Sequence, residues 1–414
     1  MEEHIIVSSG VAVSGVKLNT AMTVLSGGKV VNAVVSNGGK LDVLNGGMAE
    51  NPSVFSGGEL TVCRCGAATD IVENGGHVEI KEGSTVTFAP NAIRDLRLTD
   101  DGDRDGWTSA TIHSGTTAEN TAISDALLDV HCGGRMKHTA VSSGGELNVS
   151  SGGRLEHTAV SRGGRLSLMS GGAADHTMVS AGGEFNVHSG ATATNIVENG
   201  GHVHVNEGAT VTFAPSALRN MALTDCANAT VHSGTAASGV TVRKAKLDVC
   251  SGGRANDTTV SGGGVLVAEE GSITERTTVF SGGVLHIMSG GTATGIRAED
   301  GARIILHAVS PDTWAQGTFD GGSFDIHGVI SGCVLMKRNP FGARNPFGAA
   351  DRLFDEMEEL DVFSGGAAVD VTVSSGGELR ISSGGLAERP TVCSGGRLIV
   401  LSGGSAHGVI KSSG

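Results

Sequence analysis

Glycine pairs cut this chain at intervals that repeat. Gly-Gly steps begin at 133, 144, 152, 163, 171 and 182, alternately 11 and 8 residues apart, and Gly190 continues the series. The pairs at 27, 38, 46 and 57 keep the same alternation, as do those at 365, 376, 384, 395 and 403. The unit is therefore 19 residues: two short segments joined by two glycine-rich turns. Such self-similarity is the signature of a solenoid, in which no unit can bury its apolar face alone and each leans on its neighbours.

The columns agree with this reading. Val141, Val160 and Val179 are 19 apart, as are Leu147, Leu166 and Phe185, then Val149, Leu168 and Val187, then Met136, Leu155 and Ala174. Leu147 and Val149 flank a polar Asn148, the alternation of a strand with one face inward. Segments of about 4 to 6 residues between glycine pairs are too short for helices. The sequence therefore predicts an all-β fold, a parallel β-helix or closely related β-solenoid built from 19-residue coils. About 20 coils at the spacing of paired strands would make a rod on the order of 100 Å long.

Composition supports a narrow repeated core. Of 414 residues 66 are glycine, aromatics are 3%, tyrosine is absent and charged residues are 17%. Glycine does not recur at every third position, which excludes collagen. So low a charge with so many β-branched residues is not the composition of a disordered chain.

A longer period overlies the short one. Ile71-Val72-Glu73-Asn74-Gly75-Gly76-His77-Val78 recurs 125 residues later as Ile196-Val197-Glu198-Asn199-Gly200-Gly201-His202-Val203, and Thr87-Phe88-Ala89-Pro90 recurs as Thr212-Phe213-Ala214-Pro215. A weaker third copy begins near Ile296. Residues 337–359 break the pattern: Asn339-Pro340-Phe341 and Asn345-Pro346-Phe347 precede Leu353, Phe354, Met357 and Leu360 at helical spacing. The expected organisation is solenoid over 1–336, a loop with one short amphipathic helical insertion over 337–359, and solenoid again over 360–414.

The net charge of −14, with no basic stripe, argues against nucleic acid as a partner. No apolar run approaches the ~18 residues of a membrane helix, so this segment is not expected to insert in a membrane. The seven cysteines (Cys63, Cys65, Cys132, Cys226, Cys250, Cys333 and Cys393) are odd in number and irregularly spaced, which fits unpaired turn thiols better than a disulfide or zinc framework.

Candidate chemistry is sparse. His138, His157 and His176 each precede a Thr and sit 19 apart, so three imidazoles should stack on one edge; single-file rings do not converge on a metal. His202 and His204 form H-x-H on one strand face. Asp101, Asp103 and Asp105 match the first half of a calcium loop, but Ile112 stands where its bidentate Glu belongs. No G-x-S-x-G, H-E-x-x-H or P-loop occurs. The reading is a non-enzymatic protein with no cofactor. Two rivals remain: a β-helix enzyme acting on polysaccharide, which needs aromatic platforms that Trp107 and Trp314 alone supply poorly, and an intracellular repeat scaffold.

Residues 133–191 and 361–409 follow V-S-S-G-G-x-L-x-V-x-S-G-G-x-A-x-x-T, with Ser142-Ser143-Gly144-Gly145-Glu146-Leu147-Asn148-Val149-Ser150-Ser151-Gly152-Gly153 a clear instance. This resembles the AIDA-type repeats of bacterial autotransporter adhesins. The resemblance implies an exported passenger at the bacterial surface, held to the outer membrane by a C-terminal β-barrel. It implies attachment to other copies of itself or to host or surface glycans and proteins, with roles in adhesion and biofilm. It also implies modification by a heptosyltransferase, for which Ser142, Ser161 and Ser180 are the candidate acceptors. Met1 to Val7 lacks the basic and apolar regions of a secretory signal, and Ser412-Ser413-Gly414 falls in mid-repeat. The expectation is a passenger fragment or a truncated gene product, with the barrel not in this chain.

Overall fold

The computed structural model describes residues 4–99, 108–224, 226–299, 301–319, 322–331, 334–335 and 359–412. The chain forms two compact units: residues 1–197 with 201–214, and residues 198–200 with 215–414. Both are parallel β-solenoids.

In the first unit one face is a parallel sheet of the strands His4–Val7, Ala21–Val24, Lys40–Val43, Glu59–Val62 and His77–Ile80. Its register places Leu60 on Leu41 and Leu41 on Met22, one coil of 19 residues apart. A second sheet on this face runs from Thr108–Ile112 through Ala126–Val130, Glu146–Val149, Arg165–Leu168 and Glu184–Val187 to His202–Val205. Val141, Val160 and Val179 are direct partners on another face, each 0% exposed, as the columns predict. Leu147, Leu166 and Phe185 stack likewise.

The coil has three sides, where the glycine pairs alone suggested two. The longer segment of each unit bends at one residue with positive φ: Asn32, Asn51, Asp70, Asn120, His138, His157, His176 and Asn195, all with φ between 51° and 57°. Asn, Asp and His are the non-glycine residues that tolerate the left-handed region best. The bend splits strands such as Arg135–Ser142 and Ala173–Ser180 across two faces.

The two members of a glycine pair are required for different reasons. Gly182 has φ 76°, the left-handed turn. Gly183 has ordinary φ, but a Cβ there would lie 2.7 Å from the Val160 carbonyl oxygen of the coil below. Turns join the ladder too: Gly152 N–H donates to Gly171 O at 2.9 Å, and Gly171 N–H to Gly190 O at 3.0 Å.

The second unit repeats the plan. Asn228–Val231, Lys246–Val249, Val265–Ala268, Val284–Ile287 and Arg303–Leu306 form one face, over a core that includes Leu247, Leu266, Leu285 and Ile304. After Thr292–Ala298 the chain departs from the pattern. Trp314–Phe319 adds to that strand in parallel, then turns back as an antiparallel hairpin with Gly322–His327. The solenoid resumes when Asp361 and Val362 pair with Ala308 and Val309, followed by Glu378–Ile381 and Arg397–Val400.

Most of the expected helical insertion lies outside the described residues. Glu359, its last residue, opens the strand Glu359–Val362, in which Leu360 is fully buried.

Candidate functional site

Outside the core, each face repeats its outward residues in register. On the sheet from Thr108 to Val205, Glu146, Arg165 and Glu184 form one column, and Asn148, Ser167 and Asn186 the next. Arg165 Nε donates to Glu184 Oε2 at 2.8 Å, and Asn148 Nδ2 to Asp129 Oδ1 at 3.0 Å. These six residues line a shallow, open depression of about 340 Å³. What recurs is a flat polar surface with partners spaced by one strand.

The histidine column stacks as expected. His138 and His157 lie 5.2 Å apart, 4° from parallel, and His157 and His176 lie 4.9 Å apart, tilted by 38°. His176 Nδ1 also donates to Asp175 Oδ2 at 2.7 Å. Hydrogen bonds from Thr194 and Asn195, then His176, hold the Asp175 carboxyl well below its usual range. The His202 and His204 rings are 6.5 Å apart. Among the described residues no group of three or more His, Cys, Asp or Glu is placed to hold a metal. Asp101, Asp103 and Asp105 lie outside the described residues.

Ser142 and Ser180 end their strands and Ser161 directly follows its own; all three are half-buried, and Ser161 Oγ donates to Val141 O at 3.4 Å. The serines of the other turn, Ser151, Ser170 and Ser189, are exposed. The cysteines Cys63, Cys65, Cys132, Cys226, Cys250 and Cys393 are free thiols. Burial pushes the Cys250 thiol upward, reinforced by the nearby Glu269 and Asp248 carboxylates, so it is not an activated nucleophile.

A buried polar cluster that sequence reasoning missed sits where the first sheet ends at His77–Ile80 and the next begins at Thr108–Ile112. Glu73 is 0% exposed. Its carboxylate accepts from Thr111 Oγ1 at 3.0 Å, His113 N at 2.7 Å and His113 Nδ1 at 2.7 Å. Thr111 N–H donates to Gly76 O, and Val78 N–H to Thr111 Oγ1. The His113 ring is sandwiched between Phe88 at 4.5 Å and His131 at 4.3 Å. Burial, then the His113 charge, lowers the pKa of His131. The second unit repeats the arrangement: Glu198 accepts from Thr230 Oγ1 at 2.8 Å, His232 N at 2.8 Å and His232 Nδ1 at 2.7 Å. The signal was present in the recurring Glu-Asn-Gly-Gly-His sequence, a carboxylate amid apolar inward positions.

In chemical terms this cluster is a staple. The carboxylate satisfies main-chain and hydroxyl donors that the sheet break leaves without a strand partner, which burial would otherwise penalise. A cleft of about 560 Å³ opens beside it in the first unit, bordered by His77, Glu79, Phe88, Asp129 and His131.

Residues 362–414 match the family described as adhesin of bacterial autotransporter system, probable stalk, with the family name AIDA. These residues are similar to the stalk repeats of that family. Their glycine pairs at 365, 376, 384, 395 and 403 keep the same 11-and-8 alternation as residues 133–190. Among solved structures the chain is similar to a TibC-catalyzed hyper-glycosylated TibA fragment, at 26% identity over 73% of this chain and 92% of that one, with a TM-score of 0.29. No helix among the described residues is long and apolar enough to cross a membrane.

Proposed function

We propose that this chain is a non-enzymatic adhesin passenger that attaches cells to one another or to surfaces through its repeated polar faces. The observation that carries the reading is the in-register column, Glu146-Arg165-Glu184 beside Asn148-Ser167-Asn186. Each rung offers a weak contact. Contacts on successive rungs engage the same partner, so later ones form at high effective concentration and their free energies accumulate. The partners are other copies of the chain or host and surface glycans or proteins, met outside the cell. The similarity of residues 362–414 to AIDA-type stalk repeats supports this setting.

The test is display of residues 1–414 on a non-aggregating bacterium through a heterologous barrel. Sedimentation and surface binding are compared with the empty barrel. Displayed chains that change neither property leave a passive stalk as the function. Modification belongs to the same proposal: Ser142, Ser161 and Ser180 are the acceptors, and the half-buried state of all three restricts them to their exposed edge. Intact mass after co-expression with a heptosyltransferase reads this directly. Added mass that survives substitution of those three serines by alanine moves the acceptors to exposed positions such as Ser151, Ser170 and Ser189.

A further inference from the structure

Among the described residues, the hairpin of the second unit has an unpaired sheet edge. Gly322–His327 pairs with Trp314–Phe319 on one side and, among the described residues, with no strand on the other. Such an edge presents unpaired N–H and C=O groups to any extended chain. Proteins commonly blunt an edge with Lys or Pro, and Gly-Ser-Phe-Asp-Ile-His contains neither. Ala315 and Ile326 are buried, so the hairpin is anchored to the core while its other face looks outward.

That outward face is organised. Trp314 is 38% exposed and stands directly opposite His327, whose ring lies 5.6 Å away at 32°. Trp314 Nε1 donates to Asp325 Oδ1 at 3.2 Å, which fixes the indole against the hairpin. Asp325 is exposed, and among the described residues no Lys or Arg pairs with it. Gln316, opposite Asp325, and Ser323, opposite Thr318, complete a neutral polar rim. An indole face attracts a cation better than any other aromatic side chain, and the adjacent carboxylate adds a full negative charge.

We propose that this edge docks an extended basic segment of a partner protein. The segment adds as a strand beside Gly322–His327, and its outward arginine or lysine side chains reach Asp325 and the Trp314 ring. Main-chain bonds supply the docking, and the carboxylate and indole select the charge. This site uses one non-repeating element, so it stands independently of adhesion by the repeated faces.

The experiment uses the full chain with Trp107→Phe, which leaves Trp314 as the sole tryptophan. The probe is an end-blocked six-residue peptide alternating arginine and threonine, matched to the six residues of the edge strand. A saturable change in Trp314 emission is expected, with no response to the glutamate counterpart. Asp325→Asn should weaken binding by roughly two- to fivefold. Methylation of the alternate peptide amides that face the edge should abolish binding. Trp314→Phe keeps an aromatic partner for His327, and a labelled peptide should bind it more weakly than the parent. Equal binding by the methylated peptide reduces the site to charge attraction and overturns strand addition. A neutral oligosaccharide that gives the saturable response in place of the peptide overturns the proposal in favour of a saccharide platform. Concentration-dependent dimerisation that the peptide cannot compete makes the edge a contact between copies and likewise overturns it.

Discussion

Glu73 is a fully buried carboxyl group with three donors converging on it. Glu73→Leu leaves His113 N–H and Thr111 Oγ–H without an acceptor in the interior and should cost about 2–4 kcal/mol. Glu73→Gln keeps the volume but turns an amide N–H₂ toward a donor, and should cost less, about 1–2 kcal/mol. Thermal unfolding of the two variants checks the order; a leucine variant as stable as the parent removes the staple. The His286–His307 pair makes a second residue-scale prediction. His286 Nδ1 and His307 Nε2 are 2.6 Å apart, so one nitrogen must be unprotonated. Burial, then the neighbouring charges of His307, Arg303 and Lys246, lowers the His286 pKa from 6.5 to about 4. Burial lowers His307 as well. The folded state thus favours neutral imidazole. Its contribution is complete above pH 6.5 and is lost as pH falls from 6.5 through 4, where the unfolded chain takes up a proton that the folded chain refuses. Melting temperature followed over that window should fall less steeply in His286→Gln than in the parent; identical slopes disprove the linkage.

At the scale of strands and turns, the inward columns were legible because strand alternation and a 19-residue period leave no freedom in which side chain faces the core. The third side of the coil was not, because its corner is made by one residue rather than a glycine pair. Asn51, Asp70 and His138 look unrelated in sequence yet share one backbone conformation. The hairpin was missed for a related reason. Asp320-Gly321-Gly322 is a hairpin signal between alternating segments, but it falls where the 19-residue register is silent. The staple was hidden by its chemistry, since an inward Glu contradicts the apolar pattern until Thr111 and His113, about 40 residues away, are brought to it. The corner explanation can be separated from ring stacking at His157, which has φ 55° and a ring neighbour on each side. If the corner sets the residue type, His157→Asn should be nearly neutral, within about 0.5 kcal/mol, while His157→Val should cost about 1–2 kcal/mol for a β-branched residue held at positive φ. Equal losses in both variants, measured by thermal unfolding, would assign the column to imidazole stacking instead.

For the molecule as a whole, charge sets the terms on which repeated faces can meet. The net charge is −14, so two copies repel at long range. The columns offer short-range complementarity in return, because Arg165 lies between Glu146 and Glu184 and can exchange one carboxylate for that of another copy. The two terms respond differently to salt. Repulsion between whole chains acts over distances that ionic strength of ~0.15 M screens beyond about 8 Å, whereas the hydrogen bonds proposed from Asn148, Ser167 and Asn186 to a second copy would act at contact and be screened far less. Self-association should therefore strengthen from low to physiological salt, the reverse of what an interface held by net opposite charge would show. Arg165→Glu should raise the salt needed for association, because it places three like charges in one column. Asn148→Ala with Asn186→Ala should weaken association at every salt concentration, because it removes contact bonds and leaves net charge unchanged. Sedimentation of bacteria displaying each variant, across ionic strength, reads both effects. Association that weakens steadily with salt would show that opposite charges, not polar contacts along the columns, hold the copies together.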